Sequence, residues 1–202
     1  MKKIILDLCG GSGMWSNPYK KAGYDVRIIT LPENDILTYS PPKNVYGILA
    51  APPCEEFSIA KNSNLPKDFK KGMETVNACL KIIEICKPKF HALENPIGYL
   101  QNFLGKPNFI FQPWEFGNPW TKKTGIWGNF NLPKKKYNNW DEVIKIKELY
   151  IRPGRKKPSI AFLHKSAKQY IPEFKNTNCK TDADFRALTP QGFAKAFFRV
   201  NQ

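Results

Sequence analysis

The sequence has little that would hold it in a membrane, on a metal ion or in a disulfide framework. No apolar stretch approaches the roughly 18 residues that a membrane span requires. The opening MKKIILD reaches Asp7 too soon for a secretory core, so a cytosolic chain with no membrane partner is expected. The five cysteines (Cys9, Cys54, Cys79, Cys86, Cys179) are an odd number without a CxxC pair, and His91 and His164 are the only histidines. That spacing fits neither a disulfide framework nor a metal site, so no metal is expected. Acids are scarce: 17 Asp and Glu against 32 Lys and Arg leave a net charge of +15. Low-complexity tracts and internal repeats are missing, and 42% hydrophobic with 13% aromatic residues argues against disorder.

The 202 residues suit one globular domain with a small appendage. Their charge is uneven. Between Pro119 and Lys180, 15 Lys and Arg face 4 acids, so 11 of the 15 net positive charges fall in this third of the chain. Such a region suits a polyanion, although lysines on a solvated face would give the same count.

Residues 3–8 form a β-branched apolar run that ends in Cys-Gly-Gly-Ser-Gly and leads into an amphipathic stretch, 15–21, closed by Ala22-Gly23. The pattern predicts strand, glycine loop, helix and glycine stop. Further strands are predicted at 25–30, 45–51 and 90–94, the last two broken by Pro52-Pro53 and Asn95-Pro96. Val76, Leu80, Ile83 and Cys86 predict the apolar stripe of a helix over 67–87, stopped by Pro88. Cys79 and Cys86 read as buried small hydrophobes. Residues 108–116 and 124–130 read as two strands of a terminal hairpin, and 188–200 as a helix with Thr189 as cap and Pro190 in its first turn. Residues 133–179 read as an irregular inserted lobe. Strands alternating with helices imply an α/β fold with a doubly wound parallel sheet, whose ligands gather at the carboxyl ends of the strands. The turns at 9–13, 52–58 and 94–96 all lie at such ends, so one crevice can hold all three.

Each turn offers chemistry. In "DLCGGSG" (7–13) the glycines let a ligand approach the backbone, and a helix amino terminus favours polar or anionic groups; the run lacks GxGxxG proper, so no dinucleotide is implied. In "LAAPPCEEFS" (49–58) two prolines fix the approach of Cys54. If the following residues turn into helix, its thiol is depressed and suited to nucleophilic attack; a structural turn thiol is the plainer reading of the same pattern. Glu94, at the end of a buried strand, is expected to be raised by lost solvation and able to hold a proton near neutral pH; alone it reads as a loop or cap acid.

Taken in order, "DLCGGSG", "APPCEEFS", "LENP" and "RALTPQGFAKAF" resemble the motor parts of cytosine-5 DNA methyltransferases over residues 4–198. "ENDI" at 33–36 is similar to that family's aspartate-isoleucine contact to the cofactor adenine. The resemblance implies a Rossmann-like methyltransferase sheet over 1–130, a small basic target-recognition-like lobe over 131–185, and a C-terminal helix over 186–202 that returns to the core. It implies S-adenosyl-L-methionine as cofactor, held by Asp7, Cys9, Gly10, Gly11, Ser12, Gly13, Asp35 and Pro53. Cys54 as nucleophile, Glu94 on the base, Asn95 supporting the cysteine loop and Lys122 are the implied catalytic set. Pro53, Ser58, Lys122, Lys123, Arg152, Arg155, Lys156, Lys157 and Arg186 are the implied substrate contacts. The implied partner is DNA, double- or single-stranded, with the target cytosine flipped out or unpaired. A monomer in a bacterial or phage-infected host cytosol is expected.

The sequence departs from the family in several places. Cys9 stands where phenylalanine is usual, Glu55 where glutamine is usual, and Lys122 and Lys123 where an arginine pair is usual. The acid expected after the second strand is missing unless Glu33 serves, and the recognition lobe and carboxyl-terminal segment are short. Two other readings follow from these departures: a DNA-binding relative without catalysis, such as a decoy or anti-restriction protein, and a cytosine-modifying enzyme using another one-carbon donor or an RNA or free nucleotide substrate.

Overall fold

The computed structural model describes residues 2–59, 66–163, 167, 169–175, 177, 179 and 181–202. Its centre is a six-stranded sheet in the order β2-β1-β3-β4-β6-β5, built from β1 (Ile4–Leu8), β2 (Asp25–Ile29), β3 (Val45–Ala50), β4 (Phe90–Pro96), β5 (Phe109–Phe111) and β6 (Thr124–Asn129). The first four strands are parallel, and β6 runs antiparallel between β4 and β5. The sheet is thus mixed where the sequence predicted a parallel one. The physical reason lies in the connections: a helix carries the chain from β1 to β2 and from β3 to β4, whereas β5 passes to its neighbour β6 without a crossover helix of the usual kind, which suits antiparallel pairing.

Both faces are covered, which explains why β1, β3 and β4 read as continuous apolar runs. Leu6, Leu8, Ile48, Ala50 and Leu93 face α2 (Phe69–Cys86) and pack on its Val76, Cys79, Ile82 and Ile83. Ile5, Leu49, Phe90 and Ala92 face the other way, against Tyr19 of α1 (Asn17–Lys21) and Phe193, Ala194 and Phe197 of α6 (Gln191–Val200). This second face is an aromatic stack in which the Phe111 and Phe193 rings lie parallel with centroids 4.0 Å apart. The fold is therefore doubly wound and Rossmann-like. No helix among the described residues is long and apolar enough to cross a membrane.

Several boundaries differ from the sequence reading. The buried stripe of α2 is rotated: Cys79 and Ile82 enter the core, while Leu80 lies at its rim, 36% exposed. Asp68 caps this helix by accepting from the Lys71 N–H at 2.9 Å. β4 does not break at Asn95-Pro96 but continues through both, because β6 pairs with it there (Asn95 with Gly125, Pro96 with Thr124) and proline is tolerated at a strand's last position. The strand expected over 108–116 is shorter, since Pro113 opens a 3-10 turn over Pro113–Phe116. A short helix, α3 (Gln101–Leu104), lies between β4 and β5. α6 begins after Pro190, and Thr189 provides no cap.

The lobe has its own apolar cluster. Trp120, Leu149, Ile160, Leu163, Ile171, Phe174, Phe185 and Leu188 pack together, with Met14 from the glycine loop against them. Two further helices belong to it: α4 (Pro172–Lys175) and α5 (Asp182–Ala187), the latter started by a Thr181–Asp184 capping box that the sequence reading missed. The Lys136 and Tyr137 N–H groups donate to Glu115 O at 2.9 and 3.0 Å.

Candidate active site

The chain leaves β1 toward β2 on one side and β3 toward β4 on the other, so the carboxyl ends of β1 and β3 flank the topological switch point of the sheet. That is where an open α/β sheet forms its ligand crevice. The turns after β1 and β3 meet there, and the end of β4 adjoins them.

The loop after β1 is fixed from below. The Cys9 N–H donates to Ile29 O at 2.8 Å and the Gly13 N–H to Gly10 O at 2.8 Å. Gly11 and Gly13 adopt φ of 50° and 67°, a conformation that costs glycine little, and Cys9 shares it at 56°. Gly10 lies directly on the Asp7 carboxyl, where any Cβ would collide, whereas a Cβ on Gly11 would meet nothing within 4 Å. Gly11 and Ser12 are exposed. Asp7 itself is 1% exposed beneath the loop. Ser16 Oγ donates to Asp7 Oδ2, Oδ1 has no hydrogen-bond partner among the described residues, and burial pushes the carboxyl from 3.8 up to about 6. The Cys9 side chain packs on the core, where the Cys79 thiol bonds to it; this holds Cys9 below its ordinary value and Cys79 above. Asp35 is exposed, its Oδ1 accepting from the Leu37 N–H at 2.9 Å, with the buried Ile36 anchoring the turn.

The turn after β3 is held on every side. Cys54 O accepts from the Phe57 and Ser58 N–H groups at 3.0 and 2.8 Å. Asn95, fully buried, donates from Nδ2 to Pro52 O at 3.0 Å. Lys67 Nζ donates to Ser58 O at 2.7 Å and Glu55 O at 3.3 Å. Phe57 is fully buried, its ring stacked at 6.3 Å on Phe69 of α2. The Tyr99 N–H donates to Phe57 O at 2.8 Å, an approach that Gly98 permits by lacking a Cβ. Lys67 and Gly98 were missed in the sequence; the glycine just past a strand end was a readable signal of close backbone approach, and the lysine carried none.

Residues 55–57 form a turn and not a helix, so the expected helix-terminal depression of the Cys54 thiol fails. Burial pushes it up, Lys122 opposes this, and Glu94 and Glu55 add to the rise. The same interactions bring three candidates together. Glu94 is 8% exposed, and its Oε1 lies 3.4 Å from Lys122 Nζ. The Lys122 N–H is fixed by Gln112 Oε1 at 3.0 Å. Glu94 and Lys122 thus touch each other, and Cys54 lies near enough to feel both charges.

The other candidates are distributed around it. Pro53 is exposed and Ser58 half-buried. Lys123 is exposed, its carbonyl accepting from the Ile97 N–H at 2.9 Å. Arg152, Arg155 and Lys156 lie exposed on a loop that a bridge between Thr121 and Ser159 brings beside Lys122, and Lys157 lies over Trp114. Arg186 is exposed at the end of α5. Among the described residues no three His, Cys, Asp or Glu side chains gather as metal ligands would; His164 lies outside them.

Among solved structures, the chain is similar to a protein described as a DNA modification methyltransferase encoded within a prophage of E. coli, with a TM-score of 0.47 and 14% identity over 79% of this chain and 53% of that one. It is also similar to the Dnmt2 methyltransferase of S. pombe, with a TM-score of 0.42 and 16% identity over 77% of this chain and 59% of that one. The chain therefore spans between half and three-fifths of either. No protein-family model and no curated protein matches it.

Proposed function

We propose that this chain is a DNA cytosine-5 methyltransferase, acting as a monomer on a flipped or unpaired cytosine with S-adenosyl-L-methionine as donor. The observation that supports this reading is the Lys122–Glu94 ion pair, whose two charges both act on Cys54 at the neighbouring strand end. In this reading 1–130 is the catalytic core, 131–185 the recognition lobe and 186–202 the closing helix.

The glycine loop fits the cofactor. Open space lies over Gly11, positive φ at Cys9, Gly11 and Gly13 lets the chain curl around a ligand, and the unpaired Asp7 Oδ1 lies beneath. Residues 10–13 would hold it, with Asp35 and Pro53 at the edges. Bound there, S-adenosylmethionine supplies an electrophilic methyl group.

The chain's own residues prepare the base. Cys54 Sγ, as thiolate, adds to C6, and the C5=C6 electron pair moves toward C5 and N3. Glu94, meeting the base as the carboxylic acid, gives N3 the proton that neutralises the charge collecting there and accepts from the exocyclic amine, while Lys122 holds the resulting carboxylate in place and is the cation that favours the thiolate. Later loss of the C5 proton restores the double bond and expels Cys54. Asn95, through Pro52 O, keeps the sulfur aligned. Arg152, Arg155, Lys156 and Lys123 face solvent beside Lys122 and neutralise phosphates, so binding should weaken steeply with salt.

DNA containing 5-fluorocytosine tests the reading. With the donor present, a denaturant-stable adduct through Cys54 is expected; folded, DNA-bound protein that forms none overturns catalysis. Calorimetry with S-adenosylmethionine and S-adenosylhomocysteine should show heat with both, and silence with both would favour the non-catalytic DNA-binding reading.

A further inference from the structure

Two tryptophans that play no part in the proposed chemistry lie beside it. Trp114 stands in the 3-10 turn that follows Gln112, the residue fixing the Lys122 backbone. Trp140 opens a second 3-10 turn, Trp140–Glu142, in the lobe. Their rings meet edge to face, with centroids 6.3 Å apart at 87°. Both are half-buried, so each keeps part of its surface toward solvent. Lys157 Nζ lies 4.4 Å from the Trp114 ring centre and 5.4 Å from that of Trp140, and Lys145 Nζ lies 5.9 Å from Trp140.

The backbone places this group close to the candidate site. The Thr121 N–H donates to Pro158 O at 2.9 Å and the Ile160 N–H to Thr121 O at 3.1 Å. Lys157 is therefore one residue from a segment pinned alongside Thr121, the neighbour of Lys122. Arg152, Arg155 and Lys156 stand exposed on the same loop.

We propose that Trp114 and Trp140, with Lys157 and Lys145 over their faces, form a stacking subsite for an unpaired base of the nucleic-acid strand that enters the Cys54 crevice. This inference rests on the nucleic-acid reading above and names the form of substrate. Indole faces bind any nucleobase by stacking, but only one that has left the duplex stack, and cations over the rings supply the phosphate contact. A cationic ligand is disfavoured by the same surroundings, because Lys157 and the neighbouring arginines repel it, Lys145 being paired with Asp141. The subsite thus favours single strands, or a duplex opened around the target.

Oligonucleotide binding to the full chain tests the proposal, with a thymidine oligomer, a uridine oligomer of equal length and a DNA duplex as probes. The single strands should quench tryptophan emission, with the two sugars separating DNA from RNA as the source of the base. Trp140→Ala should weaken single-strand binding about 5- to 100-fold while duplex binding changes little. Trp140→Phe, which keeps a stacking face and secures the fold, should retain most affinity and lose part of the quenching. Equal loss on single strand and duplex would make the pair a structural tie for the basic loop and overturn the proposal, as would unchanged single-strand affinity in Trp140→Ala. Quenching by a trimethyl-lysine peptide and by neither oligomer would assign the rings to a cation and also overturn it. Wild-type protein that binds no nucleic acid at all would remove the parent reading too, and is distinguished by that control.

Discussion

The glycine loop after β1 and the proline-cysteine turn after β3 lie at neighbouring strand ends, and they differ in what holds them. The cysteine turn is fixed by bonds arriving from three segments of the chain: Asn95 on Pro52 O, Lys67 on Glu55 O and Ser58 O, and Tyr99 on Phe57 O. The glycine loop instead rests on a buried carboxyl with one oxygen unpaired, and presents open space above Gly11. A group that must hit one atom needs its backbone fixed before the substrate arrives. A loop that receives a ligand can leave polar capacity unmet until the ligand comes. On the proposed function the two turns have complementary roles, and each side of the contrast can be tested separately.

The largest effect is expected where the turns face the substrate. Glu94→Gln keeps the side chain's shape but removes the charge that Lys122 pairs, and should cut methyl transfer about a hundredfold or more while leaving the thermal transition nearly in place; unimpaired turnover would remove Glu94 from the chemistry.

The glycine-loop side should reveal itself in the pH dependence of stability. Folding raises the Asp7 carboxyl from 3.8 to about 6, so the folded state binds that proton more tightly than the unfolded chain. The contribution is complete below about pH 4, is lost as pH rises through about 6, and amounts to about 3 kcal/mol. Asp7→Asn should flatten the unfolding free energy between pH 4 and 7 measured by urea titration. An undiminished slope in the variant would place its origin elsewhere.

On the cysteine side, Asn95→Ala strips Pro52 O of its partner in a buried place and should cost about 1–3 kcal/mol, together with turnover lost from a misplaced Cys54. Stability lost without turnover would show that the anchor serves the fold alone. Lys67→Met should do the same more weakly, about 1 kcal/mol, because its ammonium lies nearer solvent. A larger loss for Lys67 than for Asn95 would invert the order of supports proposed here.

Much of this architecture could be read from the residues. β1, β3 and β4 announce themselves because strands buried on both faces must be apolar throughout, and the three punctuating motifs fall at their ends. The place of Leu80 at the rim of α2 could not be read, because the 3.6-residue period allows a stripe to rotate by one residue until packing chooses. Nor could the Thr181 cap be separated from loop chemistry in a segment crowded with polar residues.

What the sequence by itself determined is the list of reactive groups and their attachment near strand ends: a thiol after two prolines, a carboxyl close to the end of β4, a glycine loop, and cations concentrated in one third of the chain. Local pattern is enough for that, since strand and turn propensities act over a few residues. The tertiary structure alone decided which groups meet: Lys122 with Glu94, Asn95 with Pro52, Lys67 with the cysteine turn, and Lys157 with two tryptophans from separate segments. It also set the sign of the Cys54 shift, because desolvation and neighbouring charge depend on what surrounds an atom in space, and no spacing along the chain encodes that.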